Sequence, residues 1–180
     1  MKYLFFCLLI SSFAYAQSDS TSIPEPADEV IKKPEMVDFK SYKMTVPEGW
    51  QVKPGCVEGQ CTLTSTRDTV GKYDMYIESI NLTINKLSSP SYTAEKYATF
   101  SIGYLPKVVN QFKVLEKRKL SPTSYRLTYA GEKNGLFQTW RQYYYVKASK
   151  VYIVTFSGET SKYDYWQPIV EPYLNSFKLK

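Results

Sequence analysis

The chain has no histidine in its 180 residues. That absence removes the commonest general base and the commonest metal ligand. Serine–histidine hydrolysis and the usual zinc centres go with it. Cysteine is nearly as scarce, with three copies, and Cys7 falls inside the N-terminal apolar run. Cys56 and Cys61 remain, with Pro54, Gly55 and Gly59 around them. Redox-active pairs usually hold two residues between the sulfurs and a helix start beneath them. The spacing here, set in turn-forming residues, reads instead as a local structural disulfide of an exported protein, and closing so small a loop contributes ~2 kcal/mol. A cysteine nucleophile is thereby excluded as well. No glycine-rich phosphate loop is present.

What is there begins with the first sixteen residues. Lys2 supplies a positive start, Leu4 to Ile10 an apolar run, and Ala14-Tyr15-Ala16 a small-x-small cleavage signal ahead of Gln17. This is the pattern of a cleavable secretory signal over 1–16, too short for a stable membrane span. It predicts a periplasmic or secreted protein. Residues 17–36 follow with Pro24, Pro26, Pro34 and a surplus of Asp and Glu over Lys, and read as a flexible linker. The domain is expected over 37–180. The whole chain carries a net charge of +6, so the acidic linker leaves the domain distinctly basic. A basic exported domain can meet anionic lipid or acidic polymers, though scattered solubilising charge explains the same balance. Nucleic acid is excluded as a partner by the compartment. Tyrosine is the compositional outlier, with 17 copies, and suits half-buried strands.

Periodicity divides the domain into strands, helix, strands, helix. Tyr42, Met44 and Val46 share one face of a strand, and Pro47-Glu48-Gly49 turns the chain into a short strand at Trp50 and Val52. A third strand is expected over 61–66 and a long one over 75–87, with Ile80, Leu82 and Ile84 on one face and Ser79, Asn81 and Thr83 on the other. That clean alternation marks an antiparallel sheet. Thr93 is placed to cap a helix, with Glu95 in its first turn. Tyr97, Phe100, Tyr104, Val108 and Phe112 carry its apolar side, and Pro106 should kink or divide it. Strands are then expected over 114–120, through Tyr125, Leu127 and Tyr129, over 136–147 and over 151–157, with Asn134-Gly135 and Ala148-Ser149 as turns. Ser161 is the expected cap of a closing helical region with Trp166, Ile169, Val170, Tyr173 and Phe177 on its apolar side. Pro168 fits a first helical position and predicts two short pieces. The order is α+β: a twisted antiparallel sheet with helices packed on it.

The segment Tyr42-x-Met44-x-Val46-Pro47-x-Gly49-Trp50 resembles the opening of PsbP-like and DcrB-like domains. So do Tyr143 to Lys147, Lys150 to Ser157 and Asn175-Ser176-Phe177-Lys178, which resemble that family's last hairpin and closing helix. The resemblance runs over about residues 38–179 and implies an α/β/α sandwich on an antiparallel sheet. It names no active site, cofactor or metal. Members of that family differ in role, so no functional residue carries over to this chain.

One candidate binding surface comes from the strand 136–147. Phe137, Arg141, Tyr143 and Tyr145 share a face, beside Arg126 on the preceding strand. Left uncovered, that face would suit a peptide, a glycan or an envelope protein; with both sheet faces covered it would be core. The best acidic cluster is Asp68, Asp74 and Glu78, whose spacing matches no EF-hand loop. It supports a carboxylate-dependent hydrolase as the second reading, and an apolar sandwich interior would support a small-ligand carrier as the third. Ser149-Lys150 and Ser161-Lys162 are adjacent pairs at turns, which suits turn chemistry rather than Ser–Lys catalysis. The expectation drawn from all of this is a non-catalytic exported module that binds or assembles, without metal or cofactor.

Overall fold

Alternating side chains need two covered faces or one wet face, and this chain covers both. Its computed structural model describes residues 36–52, 62–64 and 76–180, all within the compact unit Lys32–Lys180. The signal segment, the linker up to residue 35, the Cys56–Cys61 pair, Asp68 and Asp74 lie outside the described residues. In chain order the elements are β1 (Met36–Asp38), β2 (Tyr42–Thr45), β3 (Gln51–Val52), β4 (Thr62–Thr64), β5 (Ser79–Lys86), α1 (Ala94–Tyr104), β6 (Asn110–Ser121), β7 (Ser124–Lys133), β8 (Leu136–Lys147), β9 (Lys150–Glu159), α2 (Tyr163–Ser176) and β10 (Lys178–Leu179).

Seven strands form the main sheet in the order β3-β4-β5-β9-β8-β7-β6, and every pairing is antiparallel. A small sheet, β1-β2-β10, sits apart from it. β8 shows how the layers stack. Tyr144 meets Tyr97 of α1 at 5.9 Å between ring centroids, while its neighbours Arg141 and Tyr143 bond Glu171 of α2. Successive residues of a strand point to opposite faces, so α1 and α2 lie on opposite sides of the sheet. The small sheet shares the α2 side. Tyr42, Met44 and Val46 join Ile80, Leu82, Val154, Phe156, Val170 and Leu174 there in one buried cluster. Each such side chain, fully withdrawn from water, contributes ~2 kcal/mol. Trp50 belongs to that cluster and stands edge-on to Trp166 at 6.2 Å, which makes it a core tryptophan.

Local chemistry explains the boundaries. The Thr93 side chain accepts the Lys96 amide at 3.1 Å and starts α1. Pro106 then ends it: residues 105–107 form a single 3-10 turn, since proline lacks the amide that would continue the ladder. The apolar beat that carried the expected helix on to Phe112 is broken there. Phe112 instead belongs to β6 and packs on Tyr129 at 5.4 Å. Asn134 and Gly135 take positive φ values of 53° and 77°, the twist a two-residue hairpin needs. Gly131 answers a different demand: a Cβ there would lie 2.4 Å from Val109 Cγ1 and 2.7 Å from the Asn110 carbonyl, so only glycine lets the start of β6 cross so closely. β6 is one of the two edge strands of the main sheet, with three register irregularities along its length.

The closing helix corrects two expectations. It runs unbroken over Tyr163–Ser176, with Pro168 and Pro172 inside it. Both prolines are exposed, as is Asp164, and four-residue spacing lines these positions along the solvent side. The carbonyls that lose their partners to proline therefore face water, which can replace the missing donors. Ser161 is not its cap; it lies within a 3-10 turn, Thr160–Lys162, that leads into the helix without a side-chain cap.

Candidate functional site

Register and helix docking bring four charges together on the α2 side of the sheet. Arg118 of β6 stands opposite Arg126 of β7, and Arg126 opposite Tyr143 of β8. One row along, Glu116 stands opposite Thr128, and Thr128 opposite Arg141. Glu171 reaches down from α2, one residue past the buried Val170. Arg126 holds Glu116 at 2.6 Å and Glu171 at 3.3 Å. Arg141 holds Glu171 at 2.5 Å and Glu116 at 3.8 Å. Tyr143 donates to Glu171 at 2.7 Å, and Gln167, one turn away on α2, donates at 3.0 Å. Thr128 donates to Glu116 at 3.4 Å.

Two guanidinium groups and two carboxylates cancel in charge, largely shielded from water. The arginine side chains retain 13% and 14% of their exposure, against 32% for Glu116 and 22% for Glu171. Burial alone would push both carboxyls up. In Glu116 it is outweighed by the hydrogen bond and charge of Arg126 and by the charge of Arg141, so the carboxyl sits below the usual range. In Glu171 burial is outweighed by hydrogen bonds from Tyr143, Arg141 and Gln167, with the same result. Burial likewise works against the charge of each arginine, yet Glu116 and Tyr143 raise Arg126, and Tyr163 and Glu171 raise Arg141. The Tyr143 hydroxyl is pushed up to about 12, first by burial and then by its bond to Glu171. Both carboxylates are therefore ionised and saturated near neutral pH. A general acid needs a raised carboxyl, and this cluster offers none. Its chemistry is cohesive: it ties α2 to β6, β7 and β8.

Three of the five residues singled out on the sequence, Arg126, Arg141 and Tyr143, meet in this network. Tyr143 is 1% exposed. Tyr145, half-buried, stacks between Tyr143 and Phe177 and helps seat the small sheet. Phe137 stands away from the others at the start of β8, 52% exposed beside Leu136. The aromatic face named on the sequence is thus covered by α2 and β10, except at Phe137. Sequence reasoning missed both carboxylate partners. Glu116 was the one acid in a basic run, Lys113 to Lys119, and Gln167 and Glu171 recur four apart on the last helix; those were the available signals.

Other predicted chemistry falls elsewhere. Glu78 is 1% exposed just before β5, packed near Gly158. Ser149 lies at the β8–β9 turn with φ 57°, and Lys162 pairs with Glu159 at 3.8 Å. A neutral cluster on the α1 side went unforeseen: Tyr76 bonds both Ser157 and Gln138, and burial, the main cause, pushes its hydroxyl up to about 12. A shallow depression of about 640 Å³ at the start of α1 is lined by Ser91, Tyr92, Thr93, Glu95, Lys96, Thr99 and Phe100. Among the described residues no group of three or more acidic or cysteine side chains is placed to hold a metal, and no helix is long and apolar enough to cross a membrane.

These features define an α+β sandwich: an antiparallel sheet, one helix on each side, and a closing helix locked by charge. Solved structures bear out the class. The fold is similar to that of the cyanobacterial PsbP protein (CyanoP) of Synechocystis, with a TM-score of 0.53 and 15% identity over 88% of this chain and 99% of that one. It is similar to LpqN, described as involved in cell envelope biogenesis of Mycobacterium tuberculosis, with a TM-score of 0.57 and 16% identity over 85% and 93%. It is also similar to PA94, a putative regulator of unknown function from Pseudomonas aeruginosa, with a TM-score of 0.57 and 12% identity over 79% and 94%. No family model matches the chain, and no curated protein matches it in sequence.

Proposed function

We propose that the chain is an exported, non-catalytic module of the cell envelope that works by binding or assembling other components. The observation that carries this reading is the fold it shares, over 85% of its length, with a protein of cell envelope biogenesis. The secretory pattern of residues 1–16 supports it, as does the lack of histidine. The charged cluster of the domain supports it too, because both of its carboxylates are engaged by its arginines rather than held ready for a substrate. Phe137 is the member of the predicted surface left open to a partner.

The test has two arms. Fractionated cells should hold the chain outside the cytoplasmic membrane, with Gln17 as its first residue. A photocrosslinker at position 137 should trap one defined envelope component in living cells, and Phe137→Asp should abolish the trapping by a crosslinker at Leu136. Chain retained in the cytoplasm, or purified chain that turns over a substrate, overturns the reading.

A further inference from the structure

At one end of the sandwich, lysines are gathered where strand pairing would be expected to keep them apart. In the main sheet Lys86 of β5 stands opposite Lys150 of β9, and Lys150 opposite Lys147 of β8. Three ammonium side chains thus share one transverse row and one face. In the small sheet Lys43 of β2 stands opposite Lys178 of β10. Directly opposed residues on neighbouring strands have Cβ atoms ~5 Å apart, and like charges there repel. The two groups are joined. Lys147 donates to the Lys180 main-chain oxygen at 2.5 Å, and the Lys180 amide donates to the Ser41 carbonyl at 3.0 Å. Lys40, in the β1–β2 turn, completes the rim. All of these lysines are exposed.

Acidic partners at this end are already engaged. Asp38, which stands opposite Lys43, is held by Lys180, and Glu95 of α1 is held by Lys119 at 3.4 Å. Among the described residues, Lys40, Lys43, Lys86, Lys150 and Lys178 have no ion pair. Apart from Lys147, whose bond to Lys180 ties the two sheets together, these lysines gain no ion pair that offsets their mutual repulsion, and their charge is free to act outside the fold. We infer that this rim docks the protein on an anionic lipid surface. The charges are compact ammonium groups on flexible stems, set at turn tips and strand ends. Among the described residues no arginine in the rim offers the planar fork that selects a single phosphate, and the rim is an end of the sandwich, able to meet a flat surface. Lysines held near an anionic bilayer each strengthen attachment about fivefold. The inference goes beyond the partner-binding reading, and because vesicles contain no protein, either can fail alone.

The test is co-sedimentation of the chain, purified as it exists in cells, with phosphatidylglycerol-containing vesicles and with pure phosphatidylcholine vesicles, across a salt series. Attachment should require the anionic lipid and fade by roughly 0.5 M salt, where screening is nearly complete. The variant Lys43→Gln/Lys86→Gln/Lys150→Gln, which spares the Lys147 bond to Lys180, should attach about a hundredfold more weakly, with an unchanged circular dichroism spectrum and no loss of stability. A control of equal charge change, Lys107→Gln/Lys113→Gln/Lys162→Gln, alters lysines toward the opposite end of the sheet and should keep most of the attachment. The single reversal Lys150→Glu should weaken it more than Lys150→Gln. Equal attachment to both kinds of vesicle, equal loss in the control, or binding to a soluble acidic protein or polymer without binding to vesicles would each overturn the inference.

Discussion

Tyr143 and Tyr144 are neighbours on one strand, yet they look into two differently built interiors. Tyr144, on the α1 side, is surrounded by uncharged groups. Its hydroxyl donates to Gln142, and burial raises its pKa against the opposing hydrogen bond with Ser101. Nearby Tyr97 accepts from Asn85 at 3.0 Å. Tyr143, on the α2 side, donates to a carboxylate shared by two arginines. The first helix is held by apolar contact, neutral hydrogen bonds and one exposed ion pair, Glu95–Lys119, which solvent screens; the last is held by apolar contact plus a largely buried charge cluster. The difference teaches that two faces of one sheet, with residues of the same type, can depend differently on pH.

Removing the shared carboxylate is the hardest blow to that contrast. Glu171→Ala leaves two arginines facing each other and Tyr143 without its acceptor, and should cost about 3 kcal/mol in urea unfolding. A cost equal to that of a neutral substitution on the α1 side would dissolve the distinction. Acid comes next. Glu116 and Glu171 have folded values below the ordinary 4.5, so their contribution is complete above that value and is lost as pH falls through the lowered ones. Urea midpoints taken downward from pH 7 should stay level to about pH 5 and then drop, and the drop should shrink in Glu171→Gln. A drop of the same size in that variant would place the acid sensitivity elsewhere. The mildest change is Tyr144→Phe, which deletes one neutral hydroxyl and should cost about 1 kcal/mol while leaving the shape of the acid profile intact. An altered profile would mean that the two faces are electrostatically coupled.

Local chemistry made much of the fold legible. Ile80, Leu82 and Ile84 announced β5, Asn134-Gly135 the β7–β8 hairpin, Thr93 and Glu95 the start of α1. Misreadings arose where one residue satisfied two patterns. Phe112 kept the four-residue beat of α1, but Pro106 had already ended the helix, and Gln111, with φ 51°, turns the backbone into β6. Pro168 looked like a helix start because sequence does not show which side faces water. β1 and β10 are too short to carry a period, and they exist because β2 offers each an edge. The arginines could be named early, since they shared a face with aromatics. Their partners could not: Glu116 lies ten positions from Arg126, and Glu171 thirty from Arg141, so only the register of three strands and the docking of a helix decide that they meet.

The irregular outer margin of the sheet has a consequence for how copies of the molecule tolerate one another. β6 is twelve residues long and open along one side, a length that would invite a second chain to zip onto it. Its shifts of register between Asn110 and Lys113, between Val114 and Glu116, and between Lys119 and Ser121 leave few uninterrupted hydrogen-bonding sites in succession, and Lys113, Lys117 and Lys119 oppose the approach of a like-charged twin. Crowding should therefore leave this border unfused, and a fibril seed would find too little straight backbone there on which to grow.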